Sequence, residues 1–397
     1  MPKTTSSPGK PHVSARFKAV ARLFNDIQGE PHELGSVLCI YLNGEPVVDL
    51  WGGPMSPAGA GVWRRDTVVS IFSISKSLTA ACILHLCDQG EAGLNDKLVE
   101  YWPEFAHADA KRKSTVTLRH VLEHKAGLPV AKTNQPGDVY HWDSMIHALE
   151  TSPLLWQPGS RTAYHAVTFG HLLGEVILRI SGLMPSEYFK KSLAEPFDLD
   201  LSLKLLPDQL TRLAFCDGDS FDDRQLRSDL TQAAVHSDPW QSQYFGPCGD
   251  DYHPNSTRWR NAEAPAVTGF GSARGLARFA AIFSDSDGLQ GRNLLSPDLM
   301  RALQYSNPMP EMDEGTSQRV RLGYGFHFNQ APGSDFGPNP QSFGHVGMGG
   351  VTMFADPKNR VGFGYVCNHL FQPKPDNPSK VGDRASRLMR KFYSCLM

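Results

Sequence analysis

The feature that most restricts the fold is a pair of strand hairpins at opposite ends of the chain. Near the start, VLCIYL and EPVVDLW flank Asn43-Gly44. Both turn residues tolerate positive φ, as a tight two-residue hairpin requires. Pro46, with no amide to give a neighbour, fits an edge strand. Near the end, VTMFA and RVGFGYVCN flank Asp356-Pro357-Lys358-Asn359, residues suited to a turn. Between these ends the apolar period becomes helical. Ile74 to Leu86 is closed by Gly90, and Thr168 to Ile180 is ended by Gly182. Leu118, Val121 and Leu122 follow Thr117 as N-cap and stop at Gly127 and Pro129. The tail DRASRLMRKFY sets Ala385, Leu388 and Phe392 at helical spacing. Strands at both ends around a helical middle predict a sheet built from residues 1–95 and 266–397. A mainly helical part then comes from 96–265, with a cleft between the two. Residues 211–262 are polar, rich in Asp and Trp, and without periodicity.

Charge and cysteine usage narrow the partners. Among 397 residues, 39 Lys and Arg stand against 41 Asp and Glu, a formal charge of -2. That balance gives no basic footprint for nucleic acid or an anionic membrane. No apolar run approaches the length of a spanning helix. The opening MPKTTSSPGKPHVSARFKAV lacks the apolar stretch of a secretion signal and reads as a polar tail. Seven cysteines are scattered without Cys-x-x-Cys spacing. They fit free thiols in a reducing compartment better than a disulfide framework or a zinc site. The expectation is a cytoplasmic protein acting on a small molecule, with no nucleic-acid or membrane partner. No feature specifies an oligomeric state.

Chemistry concentrates in three runs. In Ser70-Ile71-Phe72-Ser73-Ile74-Ser75-Lys76-Ser77-Leu78, Ser73 and Lys76 are three residues apart at the start of a helix. That spacing puts them on one face, about 5–6 Å apart at Cβ. A serine hydroxyl is a poor nucleophile until a neighbour takes its proton, and a lysine of depressed pKa can do so. The helix start adds a backbone N–H for a developing oxyanion. Alone, the motif is weak and reads first as the start of an ordinary capped helix with a solvated lysine. The second run, Trp156 to Ala166, has a Pro-Gly turn and then Tyr164, either a proton shuttle or a core tyrosine. The third, Phe343-Gly344-His345-Val346-Gly347-Met348-Gly349-Gly350, has the glycines of a strand lining a pocket.

Together these runs resemble the serine β-lactamase and penicillin-binding-protein superfamily, most closely the class C-like branch that holds the family VIII carboxylesterases. The flanking VVDLWGG, TLRHVLEHKAGLP, YHAVTFGHLLGEVI and RLGYGF fit too, so the resemblance spans about residues 20–395. It implies an α/β (α+β) β-lactamase-like fold, with a mostly antiparallel sheet flanked by helices plus an all-helical domain. It also implies roles: Ser73 as acylated nucleophile, Lys76 as base, and Tyr164 sharing the relay and protonating the leaving alcohol. The backbone amides of Ser73 and Met348 would form the oxyanion hole, and His345, Gly347 and His165 would face the substrate. No cofactor or metal is implied. Two departures stand out. Tyr164-His165-Ala166 replaces Tyr-x-Asn, and His345-Val346-Gly347 replaces Lys-Thr-Gly, removing a fixed cation and a hydroxyl suited to a carboxylate. Both favour a neutral ester over a β-lactam.

Other motifs compete. His120-Val121-Leu122-Glu123-His124 matches an inverted zinc-protease pattern, without an identifiable third ligand. Cys216-Asp217-Gly218-Asp219-Ser220-Phe221-Asp222-Asp223 invites calcium but lacks the glycine and glutamate of that loop. No Gly-x-Ser-x-Gly elbow or nucleotide-binding glycine pattern appears. The leading expectation is a serine carboxylesterase for short neutral acyl esters. The alternatives are an acyltransferase, amidase or weak β-lactam hydrolase using the same groups, and a silent binding protein of that fold.

Overall fold

A computed structural model describes residues 10–31, 33–133, 135–218, 240, 253–330, 335–371 and 381–396. Strands β1 (His12–Val13), β2 (Ser36–Leu42) and β3 (Glu45–Gly52) come from the N-terminal end. Three short strands, β4 (Val69–Phe72), β5 (Leu201–Ser202) and β6 (Gly269–Gly271), form a sheet of their own in the order β4–β6–β5. A separate hairpin joins β7 (Glu311–Asp313) to β8 (Gln318–Val320). Then follow β9 (Leu322–Gly323), β10 (Phe326–Phe328), β11 (Phe343–Val346), β12 (Thr352–Asp356) and β13 (Val361–Cys367). These five join the N-terminal three in one antiparallel sheet ordered β1–β3–β2–β13–β12–β11–β10–β9.

The two terminal hairpins therefore lie side by side. Leu42 pairs with Val361 and Ser36 with Cys367. Asn43 and Gly44 take φ of +51° and +81°, the left-handed pair a tight turn needs. Pro46 lies past the end of β1, which reaches only Asp49 and Val48, so no strand on that side needs its missing amide. The helix Ala273–Ser284 rests directly on β13. A Cβ at Gly362 would stand 2.4 Å from the Ala277 carbonyl, and one at Gly364 2.3 Å from that of Ala273. Glycine at these alternate positions is what lets helix backbone touch sheet backbone. At the chain ends, Phe392 of the helix Asp383–Leu396 stacks on Phe17 at 4.8 Å.

The helix Ser75–Asp88 is buried on almost every side, as expected of an apolar helix at a core. It packs against Thr168–Ser181, which stops at Gly182 with φ +71°. Thr117 caps Leu118–Leu122 as read from sequence, with His120 completing a reciprocal capping box. The β4–β6–β5 sheet was not foreseen, because strands of two to four residues show no alternation. It also places Leu201 and Ser202, within the stretch expected to be helical, against Gly271 and Phe270. The acidic run from Asp219 lies outside the described residues, as does Cys248. Among the described residues the cysteines are free thiols, and no helix is long and apolar enough to cross a membrane.

At the end of β4 the chain turns sharply into the central helix, and Phe72 takes φ +48° there. Ser75 holds this corner: its hydroxyl donates to the Phe72 carbonyl and accepts from the Gly269 amide at 2.9 Å. Ser75→Ala leaves both buried backbone groups without this partner. It is expected to lower unfolding free energy by about 1–3 kcal/mol, measured by chemical denaturation. An unchanged midpoint would show that Ser75 is not the lock.

Candidate active site

Ser73 follows the corner at Phe72, in the turn that leads into the central helix. One turn on, Lys76 is fully buried. Its Nζ lies 3.4 Å from Ser73 Oγ and donates to the carbonyls of Ala166 (2.8 Å) and Ala266 (3.0 Å). The neighbouring serines are otherwise engaged. Ser75 closes the corner, and Ser77 donates to the Gly325 carbonyl at 3.2 Å. The sequence pair is thus a spatial pair, and the solvated lysine of the bland alternative is absent.

Tyr164 comes to the same place on a loop that is pinned residue by residue. Gly159, in the left-handed region at φ +83°, donates its amide to the Lys125 carbonyl. Three consecutive amides then find partners outside the loop. Ala163 donates to the His124 carbonyl (3.1 Å), Tyr164 to Asp313 Oδ1 (2.8 Å) and His165 to His124 Nδ1 (2.8 Å). The phenol faces Ser73 closely enough for the serine to bear on its ionisation, stands 3.5 Å from His345 Nε2, and its ring centre is 4.8 Å from Lys76 Nζ. Burial raises the Tyr164 pKa above the usual tyrosine value. The Ser73 side chain opposes that rise, and the Asp313 charge adds to it.

The third run supplies the opposite wall. His345 turns Nδ1 to the carbonyl of its neighbour Val346, 2.8 Å away, and Nε2 to the Tyr164 phenol at 3.5 Å. A Cβ at Gly347 would lie 2.6 Å from the Ile71 carbonyl, so only glycine lets the end of β11 meet the end of β4. Gly347 spends its own amide on Val351 O at 2.7 Å. Met348 follows at the first position of a 3-10 turn, where an amide has no intrahelical partner. The two amides expected to bind an oxyanion, those of Ser73 and Met348, therefore belong to segments that touch at Ile71 and Gly347.

His165 is placed differently from the sequence expectation. It is fully buried, with Nδ1 on the Ala163 carbonyl (2.7 Å) and Nε2 accepting from the Leu128 amide (3.3 Å). Neither nitrogen is left to bind substrate, so its part is to hold the tyrosine loop. The His-x-x-Glu-His motif is divided in the same way. His120 caps its helix, Glu123 pairs with Arg119, and His124 stacks between Tyr164 and Phe169 at 4.7 and 4.8 Å. Among the described residues no group of three or more His, Cys, Asp or Glu could hold a metal. Three site neighbours escaped the sequence reading. They are His124 in its supporting role, Asp313, and His327, whose ring meets His345 edge-on at 4.7 Å. The only signal for His124 was the motif that suggested zinc; Asp313 and His327 had none.

A strained strand-to-helix corner bearing Ser-x-x-Lys, faced by a half-buried tyrosine and a glycine-rich edge, defines a serine hydrolase of the β-lactamase type. The family model for beta-lactamase matches residues 20–385, and the chain belongs to that family. The esterase/beta-lactamase LipL of Mycobacterium tuberculosis is 31% identical over 366 residues, 90% of this chain and 82% of the relative. A crystal structure of a family VIII carboxylesterase superposes with a TM-score of 0.84 at 29% identity, covering 97% of this chain and 99% of that one. EstA from Arthrobacter nitroguajacolicus gives 0.80 at 26% identity, covering 98% and 99%. The chain is an enzyme of the esterase/β-lactamase group, and the β-lactamase-like fold expected from the motifs is the fold observed.

Burial also sets an acid limit on stability. It lowers His165 and His171 to about 4, and it holds His124 well below the ordinary histidine value, with His165 and Lys76 adding to the effect. In the unfolded chain these rings take up protons near pH 6.5. The unfolded state then binds more protons than the native one, so stability is complete above about 6.5 and is lost as pH falls toward 4. Tm is expected to drop across that window. His171→Leu, which removes one of the titrating rings, should make the slope of Tm against pH shallower. Equal slopes in the two proteins would contradict this account.

Proposed function

We propose that the chain is a carboxylesterase that hydrolyses short-chain, neutral acyl esters through an acyl-Ser73 intermediate. The observation that carries this reading is the meeting of Ser73 Oγ, Lys76 Nζ and the Tyr164 phenol in a site with His345 at its wall. On this reading Ser73 Oγ attacks the ester carbonyl as its proton passes to Lys76. The amides of Ser73 and Met348 receive the oxyanion. Collapse of the tetrahedral intermediate breaks the bond to the alkoxide, which takes its proton from Tyr164. Water then enters by the reverse sequence, and the acid leaves Ser73. No cofactor or metal enters this sequence, and the partner is the ester itself. The cytoplasm is the compartment this reading assumes.

His345 and Val346 offer neither a fixed cation nor a hydroxyl to a substrate carboxylate, and Ala166 offers no side-chain amide. Those absences support neutral esters as the preferred class. A second reading, β-lactam hydrolysis as a weaker activity of the same serine, is favoured by the relative LipL, described as both esterase and β-lactamase.

Variants separate the roles. With p-nitrophenyl butyrate, Ser73→Ala should abolish turnover and fluorophosphonate labelling. Lys76→Arg should lose about 10²–10⁴ in kcat, because guanidinium does not give up its proton. Tyr164→Phe should lose about 10² or more, and His345→Ala less than that. A His345→Ala variant as damaged as Ser73→Ala, beside a nearly silent Tyr164→Phe, would point to a Ser/His enzyme instead.

Substrate choice is a separate test. The kcat/KM for p-nitrophenyl butyrate should exceed that for benzylpenicillin by at least about 10²-fold, the discrimination expected when a charged group meets no partner. A penicillin value equal to or above the ester value would overturn the neutral-ester assignment.

A further inference from the structure

We infer that Asp313 is a positioning residue for the reaction, holding Tyr164 at the junction of Ser73, Lys76 and His345. This inference rests on the reading of Tyr164 as the group that protonates the leaving alcohol. Asp313 has no solvent exposure. Its carboxylate accepts from neutral donors: the Tyr164 and Gly315 amides on Oδ1, at 2.8 and 3.0 Å, and the Thr316 hydroxyl on Oδ2 at 2.6 Å. Burying a carboxylate is costly, and short bonds to several N–H and O–H donors offset that cost only while each stays in place. The tyrosine amide is one of them, so displacing Tyr164 from its position removes part of what stabilises the buried charge.

The strand β7 works as a splint along the tyrosine loop. Thr162 bridges Asp313 in parallel register, and the Glu314 amide returns to the Thr162 carbonyl at 3.0 Å. Glu311 and Asp313, alternate residues of β7, point to the same side. Glu311 accepts from the Thr162 hydroxyl and pairs with Lys125 at 2.6 Å, while Asp313 takes Tyr164. Two carboxylates spaced by two residues thus grip two loop residues spaced by two. The inner one is buried and holds the backbone amide of the tyrosine itself. The outer one, in its partly exposed ion pair, anchors the loop's flank.

The test is a double-mutant cycle on p-nitrophenyl butyrate, with folding checked by circular dichroism and Tm. Asp313→Ala should lower kcat by about 10²-fold with KM changed by no more than about threefold, because the alcohol's proton donor is misplaced while the substrate site is not. Asp313→Asn keeps an oxygen acceptor for the Tyr164 amide and should recover most of that loss. In a Tyr164→Phe background, Asp313→Ala should cost no more than about twofold further, since the group it positions is already gone. If Asp313→Ala does not fold, Asp313→Glu, one methylene too long, carries the same cycle. An equal loss in both backgrounds would show that Asp313 acts on the whole site and would overturn the inference. Wild-type kcat in Asp313→Ala would overturn it as well. Near-wild-type kcat in Tyr164→Phe alone is a distinct result. It would sink the reading of the tyrosine, and the inference with it.

Discussion

An amine taken wholly out of water must find its hydrogen-bond partners inside the protein, and that requirement organises the centre of this molecule. Lys76 is fully buried, and its Nζ reaches Ser73, Ala166 and Ala266, which lie on three separate segments. Each segment brings something with it. Ser73 belongs to the corner after β4, Ala166 ends the tyrosine loop, and Ala266 leads into β6, whose Gly269 is held by Ser75. The lysine therefore fixes distances between parts of the chain that no local propensity relates. A lysine in solvent would fix none of them.

Around that point burial keeps several of the site's titratable groups uncharged. The tyrosine is kept as a phenol by burial, and His124 and His165 are kept uncharged by the same cause. His345 turns Nδ1 to the Val346 carbonyl and Nε2 to Tyr164. A low-dielectric pocket of this kind strengthens every hydrogen bond within it and makes an unpaired charge expensive. This is the physical basis for proposing neutral esters: a substrate carboxylate entering here would shed water and meet no cation from the His345-Val346-Gly347 edge.

Much of this was legible in the sequence where a residue type answers a backbone demand. Asn43-Gly44 announced a hairpin, Gly182 a helix end, and Thr117 a cap, each for reasons contained within a few residues. Ser73 and Lys76 were legible because a helix of known pitch relates them. Tyr164 and the run around His345 stood out from their turn and glycines, but their joint role came from resemblance, since nothing local ties a loop tyrosine to a strand histidine. Asp313 was invisible. In EMDEGTSQRV it looks like one more acidic residue at a polar turn, and only the packing of β7 on the loop makes it a buried partner of Tyr164. His165 shows the reverse failure. Its neighbour's role suggested a contact with substrate, while the backbone needed both of its nitrogens.

The adjacency of β2 and β13 also governs how the protein is made. The ribosome delivers about 5–20 residues per second, so β13 emerges roughly 15–60 s after β3. Through that interval the β2–β3 hairpin has its β13-facing edge unpaired, and a two-stranded hairpin is marginal alone. The helix Ala273–Ser284, which packs on both β2 and β13, also arrives late. Helices of the middle, whose contacts are local, can form meanwhile, but Ser73 and Gly347 cannot meet until the C-terminal strands pair. The nascent chain thus carries an open strand edge, a template for pairing with other chains, for most of its synthesis. Arrival of β13 closes that edge and lets the segments of Ser73 and Gly347 come together, so a truncated chain would be both inactive and prone to aggregate.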